Sequence, residues 1–266
     1  MTQEQVKTNT LRKLAEIGQS PWYDNIDRRL IENGELKRIF EEGCLGVTSN
    51  PTIFEKAVSA SGVYDRRIEK FSKEGKRVLE IYDILTLEDV SDAADLLADT
   101  YRRTDRLDGY VSIEVLPEIA HDSVRTIENA SDIFYRINRP NIMIKVPGTQ
   151  EGPGAIRELI KKGINVNVTL LFSVEQYEIC AMAYIQGLKD RLKEGKDISN
   201  VFSVASVFVS RIDTKIDKIL DDIKVEGLKG KAAVANSKMI YQRFKEIFDS
   251  RDFQELRSKG ANVQRV

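Results

Sequence analysis

Asn165-Val-Asn-Val-Thr-Leu170 sets Val166, Val168 and Leu170 on one side of an extended chain and Asn165, Asn167 and Thr169 on the other. Successive side chains of a strand point to opposite faces, so this stretch has one apolar face and one face of amides and a hydroxyl. The same alternation returns on either side of it. In Tyr110-Val-Ser-Ile-Glu-Val115, Val111, Ile113 and Val115 oppose Ser112 and Glu114. Ile142, Ile144 and Val146 oppose Met143 and Lys145, and Val47 and Ser49 oppose Thr48 and Asn50. A central strand of an open doubly wound sheet touches helices on both faces and tends to read as apolar throughout. Strands with one polar side each suit a closed barrel better. Helices then cover the apolar sides, and Asn50, Glu114 and Lys145 come near the carboxyl ends of the strands, where (β/α)8 enzymes build their sites. Half-exposed antiparallel strands alternate in the same way, but crossover helices between strands belong to parallel sheets.

Seven strands are predicted, over 22–26, 46–50, 109–115, 142–146, 165–170, 201–209 and 261–265. Between them, Leu87–Tyr101 follows Thr86 as a candidate N-cap, and Gln176–Lys193 follows Ser173 with a capping-box spacing to Gln176. Ile212, Ile216, Ile219 and Leu220 form one helical stripe, and Gly163 and Gly260 stand where helix C-caps would fall. The fold class is α/β, a (β/α)8 TIM-type barrel with only seven strands evident. No linker, low-complexity tract or repeat breaks the chain, so residues 1–266 read as one domain.

Composition narrows the function. In 266 residues, 41% of them hydrophobic, 41 basic side chains are interleaved with 42 acidic ones for a net charge of −1, which argues against a nucleic-acid partner. No run approaches the ~18 apolar residues of a membrane span, and the opening Met1-Thr-Gln-Glu-Gln lacks the apolar core of a secretion signal, so a cytoplasmic location is expected. Cys44 and Cys180 are far apart without metal-ligand spacing, and His121 is the chain's one histidine. Neither a disulfide framework nor a zinc site is expected. The cysteines read as buried small residues, His121 as a surface or capping residue early in a helix, and Tyr241–Phe248 as core aromatics.

Lys145 ends an apolar strand. A lysine in an enclosed site can present a neutral amine to a carbonyl and form an imine, while the alternative is a side chain that snorkels from the strand end into water. Glu114 and Asn167 share its inward parity, and Asp24 lies near the end of the first strand. Two carboxylates and an amine around one cavity would supply acid and base to a carbonyl reaction; salt-bridged surface acids are the alternative. Asn50, Asn167, Thr169 and Ser206 offer neutral donors and acceptors suited to a polyhydroxylated substrate, or else cap local turns. Arg211 could grip a phosphate or be an ordinary surface arginine. Gly148 needs only a tight turn to account for it.

Four segments taken together, Gly46-Val-Thr-Ser-Asn-Pro-Thr-Ile-Phe54, Ile144-Lys-Val-Pro-Gly-Thr149, Asn167-Val-Thr-Leu-Leu-Phe-Ser173 and Ser203-Val-Ala-Ser-Val-Phe-Val-Ser-Arg-Ile-Asp213, resemble transaldolase, in order and over almost the whole chain. The resemblance implies a (β/α)8 barrel that moves a dihydroxyacetone unit between sugar phosphates in the pentose phosphate pathway, with no metal or organic cofactor. It also implies roles. Lys145 matches the Schiff-base lysine, Asp24 the acid/base of carbon–carbon cleavage, and Glu114 the proton shuttle of imine chemistry through a water shared with Thr169. Asn50, Asn167 and Ser206 match substrate contacts, and Arg211 the phosphate grip. The family's barrel normally continues beyond the strand that ends near Arg265. The resemblance therefore implies a barrel incomplete at its C-terminus, with open edges through which copies could associate. A Schiff-base sugar-phosphate aldolase and an inactive barrel fragment are the alternative functions.

Overall fold

A computed structural model describes residues 9–266; the polar opening of the chain lies outside the described residues. The chain divides into two compact units, Met1–Glu114 with Ile133–Ile142, and Val115–Asp132 with Met143–Val266.

The first unit begins with α1 (Thr10–Glu16) and β1 (Trp22–Tyr23), followed by α2 (Arg28–Glu32), α3 (Glu35–Glu41) and β2 (Gly46–Thr48). Then come α4 (Pro51–Ala60), α5 (Asp65–Lys73), α6 (Val78–Arg103) and β3 (Tyr110–Glu114). The three strands are parallel, with Trp22 opposite Gly46 and Gly46 opposite Tyr110. Their apolar rows, including Val47, Val111 and Ile113, are buried, as are Leu85, Val90, Ala93 and Leu97 of α6. Asn50 starts α4 by accepting the Ile53 N–H at 3.0 Å, with Pro51 in the first turn, where its missing N–H is no loss.

α7 (Ser123–Ile137) runs across the division, and the second unit carries β4 (Ile142–Pro147) from Met143 onward. It continues with α8 (Gly152–Lys162), β5 (Val166–Leu171), α9 (Val174–Lys193), β6 (Ser203–Val207), α10 (Ser210–Asp222), α11 (Ala232–Phe248), α12 (Arg251–Arg257) and β7 (Gln264–Arg265). The strands β4 to β7 pair in parallel in that order. Gly163 closes α8 at φ 87°, a backbone conformation that a side chain would strain. Ser173 caps α9 as predicted, accepting the Gln176 N–H at 3.1 Å.

All seven predicted strands are present, and the alternation of parallel strands and helices is of the predicted α/β, TIM-type class. Among the described residues no helix is long and apolar enough to cross a membrane. Several local expectations are corrected. Thr86 is no N-cap: its Oγ1 donates to the Tyr82 carbonyl at 2.8 Å inside a helix that already began at Val78. Leu170 leaves the apolar row, because φ of 61° and a register shift between Val168 and Leu171 bulge the strand and hand that row to Leu171. Gly260 has positive φ but lies beyond the cap of α12 at Ser258. None of the Ile212–Leu220 stripe is buried, and Tyr241 is exposed while Phe248 is core. His121 is an exposed surface residue as expected, but it lies in a turn ahead of α7, its Nδ1 3.0 Å from Glu151 Oε2.

Candidate active site

In the first unit, pairing of Val47 with Val111 and of Thr48 with Ser112 fixes which side chains share a face. Counting in twos along each strand, Asn50 falls on the face of Thr48, and Glu114 on the face of Ser112. Asp24, one residue beyond the Tyr23–Val47 pair, follows on that same face. Its carboxylate accepts a short hydrogen bond from Thr48 Oγ1. Asp24 is exposed, Asn50 and Glu114 are half-buried, and Ser112 is fully buried. Near the start of the same strands Trp22 packs flat against Gly46, whose missing side chain makes room for the indole. The polar groups are thus gathered toward the carboxyl ends.

In the second unit Lys145 pairs with Asn167, Asn167 with Val204, and Pro147 with Thr169. Lys145, Asn167, Thr169 and Ser206 therefore share one face of β4–β6. Ser206 Oγ donates to Asn167 Oδ1 at 2.8 Å, joining two of the predicted residues directly. Lys145 is 8% exposed between Ile144 and Val146, which are wholly buried, while Asn167 and Thr169 are 1% and 2% exposed. A snorkelling lysine would reach water; this one is enclosed. Just after β4, a Cβ on Gly148 would lie 2.6 Å from Leu171 Cδ2, so a side chain there would have to displace the end of that buried leucine. Arg211 stands apart from this row. It is exposed in the first turn of α10, with its guanidinium carbon 4.8 Å from the centre of the Phe208 ring. Among the described residues no group of three or more His, Cys, Asp or Glu side chains could hold a metal ion.

Two contributors escaped the reading of the sequence. Thr48, partner of Asp24, was visible there only through its shared parity with Asn50. Phe208 sits three positions before Arg211, and an aromatic so placed carries no signal until α10 turns the guanidinium back over it.

An α/β chain of TIM type with polar side chains toward the carboxyl ends of its strands has the architecture of a barrel enzyme. Residues 21–266 match the transaldolase/fructose-6-phosphate aldolase family. Transaldolase 2 of Nostoc punctiforme is 49% identical over 274 residues, covering 98% of this chain and 72% of its own length. The transaldolase of Trichodesmium erythraeum is 47% identical over 97% of this chain and 71% of its own, and transaldolase 2 of Streptomyces coelicolor 41% identical over 97% and 70%. The chain belongs to the transaldolase/fructose-6-phosphate aldolase family, and within it is a transferase of the transaldolase kind.

Proposed function

We propose that this chain, acting in the cytoplasm, transfers a dihydroxyacetone unit from sedoheptulose 7-phosphate to glyceraldehyde 3-phosphate through an imine at Lys145. The products are erythrose 4-phosphate and fructose 6-phosphate. The observation that carries the reading is the enclosure of Lys145 in register with Asn167 on β4 and β5.

The Lys145 amine adds to the ketose C2 carbonyl, and loss of water gives a protonated C=N bond. Glu114, with a water held also by Thr169, supplies and removes the protons of this addition and of its reversal. The imine draws in the electrons of the C3–C4 bond while the C4 hydroxyl surrenders its proton to Asp24. The aldose phosphate leaves and the three-carbon fragment stays on Lys145 as an enamine. Attack by this enamine on a new aldehyde forms the carbon–carbon bond, Asp24 returns the proton to the resulting alkoxide, and hydrolysis frees Lys145. Asn50, Asn167 and Ser206 hold the hydroxyl-bearing fragment, and Arg211 grips the phosphate.

Borohydride reduction in the presence of fructose 6-phosphate should add a stable three-carbon group to Lys145, located by mass spectrometry of peptides. Lys145→Met should abolish it. An adduct elsewhere, or an undiminished yield in the variant, refutes the assignment. Omitting the acceptor aldehyde separates transfer from plain cleavage: free dihydroxyacetone accumulating at the transfer rate would make the chain an aldolase.

A further inference from the structure

Asp24 belongs to no regular element. It lies in the four-residue passage from β1 to α2, whose other residues include Ile26, 2% exposed, and Asp27, 5% exposed. One end of this passage is tied at Asp24 by Thr48. The other end is tied at Arg28 by a buried polar knot. The Arg28 N–H, the first of α2 and without a partner inside the helix, donates to the Tyr64 hydroxyl at 3.1 Å. That hydroxyl donates to Asp89 Oδ2 at 2.6 Å. The Arg28 guanidinium donates from Nε to Asp89 Oδ1 at 2.6 Å and from a terminal nitrogen to Asp92 Oδ2 at 2.5 Å. Burial alone would lower the guanidinium, and Asp89 and Asp92 more than reverse it. Asp27 caps the same helix through the Arg29 N–H at 2.9 Å.

Tyr64 is wholly buried, and its ring packs edge-on to Phe54 at 5.7 Å in a cluster with Ala57, Ile81 and Leu85. Phenylalanine would serve that apolar cluster equally well. What the hydroxyl adds is the tie to Arg28, four residues after Asp24, and Phe54 belongs to the helix that Asn50 begins. We propose that Tyr64 is a positioning residue for Asp24, holding the exit of β1 so that the carboxylate stays where carbon–carbon cleavage needs it. The inference rests on the role given to Asp24 above.

The test uses the full chain with Tyr64→Phe, Asp24→Asn and both together. It measures the rate at which borohydride traps total imine on Lys145 from fructose 6-phosphate, the six-carbon imine formed before cleavage together with the three-carbon one formed after it, steady-state transfer to an acceptor aldose phosphate, and thermal stability. A carboxylate displaced by a fraction of an ångström should cost Tyr64→Phe about tenfold in kcat. Adduct formation and KM should stay within about twofold of the parent. In the Asp24→Asn background Tyr64→Phe should change transfer by less than about twofold, because the group it positions is gone. The inference is overturned if Tyr64→Phe transfers normally while Asp24→Asn is slow, if the loss is equal in both backgrounds, or if adduct formation falls in step with transfer. An Asp24→Asn chain that transfers normally removes the reading of Asp24 itself. Should Tyr64→Phe fail to fold, Asp92→Ala loosens the same arginine from its half-exposed side, and must give the same split between transfer and trapping or overturn the inference.

Discussion

Gly46→Ala should damage the enzyme through a side chain that touches no substrate. A Cβ at this position would lie 2.5 Å from two ring carbons of Trp22, against an ordinary contact of 3.4 Å or more, so the indole must retreat by about 0.9 Å. The ring cannot swing away freely: Trp22 Nε1 donates to Ser20 Oγ at 2.9 Å, and Ser20 in turn to Asp108 at 2.6 Å. The displacement therefore falls on β1, only two residues long, and Asp24 follows it immediately. Overpacking of this kind costs ~1–3 kcal/mol, which for a chain of this length is a melting-temperature fall of roughly 2–12 °C. Carried to Asp24, a shift of ~1 Å can slow carbon–carbon cleavage by up to about a hundredfold. Lys145 lies on β4, outside this contact, so trapping of total imine, six-carbon and three-carbon together, should survive. Differential scanning fluorimetry gives the first number, and paired assays of transfer and borohydride trapping give the second. A Gly46→Ala chain that melts and transfers like the parent would refute the reasoning, since the indole would then have had room that the packing denies it.

Glu114→Ala should slow formation of the trapped adduct itself, by the ~10²–10⁴ that loss of general acid/base catalysis typically costs; trapping equally fast in variant and parent would end its assignment to the imine step. Burial pushes the Cys180 thiol up to about 12 from an ordinary 9.0. The unfolded thiol then ionises first, so stability is whole below about pH 9 and declines between about pH 9 and about pH 12, by on the order of 1 kcal/mol per pH unit. Urea titrations near neutrality and near pH ~10 should show a smaller loss in Cys180→Ala than in the parent, and an identical loss would remove Cys180 as the cause.

Four of the strands were legible through alternation, a pattern that depends on neighbouring residues alone. What the sequence concealed needed distant partners. Thr86 has the chemistry of an N-cap, yet its hydroxyl bonds back to Tyr82, and α6 really begins where Glu80 Oε2 accepts the Arg77 N–H at 2.9 Å. Arginine is not a residue that announces a helix start, so the boundary was unreadable. Leu170 obeyed the alternation in sequence and broke it in space, since a bulge is set by the pairing of β5 with β6 and not by either strand alone. The candidate site divides in the same way. Lys145, Asn167 and Glu114 could be read from parity, whereas the partnership of Asp24 with Thr48 required the register of β1 on β2.

Local structure also decides how the two amides are held. Asn50 turns its side-chain oxygen to the Ile53 N–H, and Asn167 turns its oxygen to the Ser206 hydroxyl. An amide oxygen carries two lone pairs, so these bonds orient each side chain without using up its accepting capacity. The capping of α4 and the pairing of β5 with β6 look purely structural, but they set how the two amides are oriented.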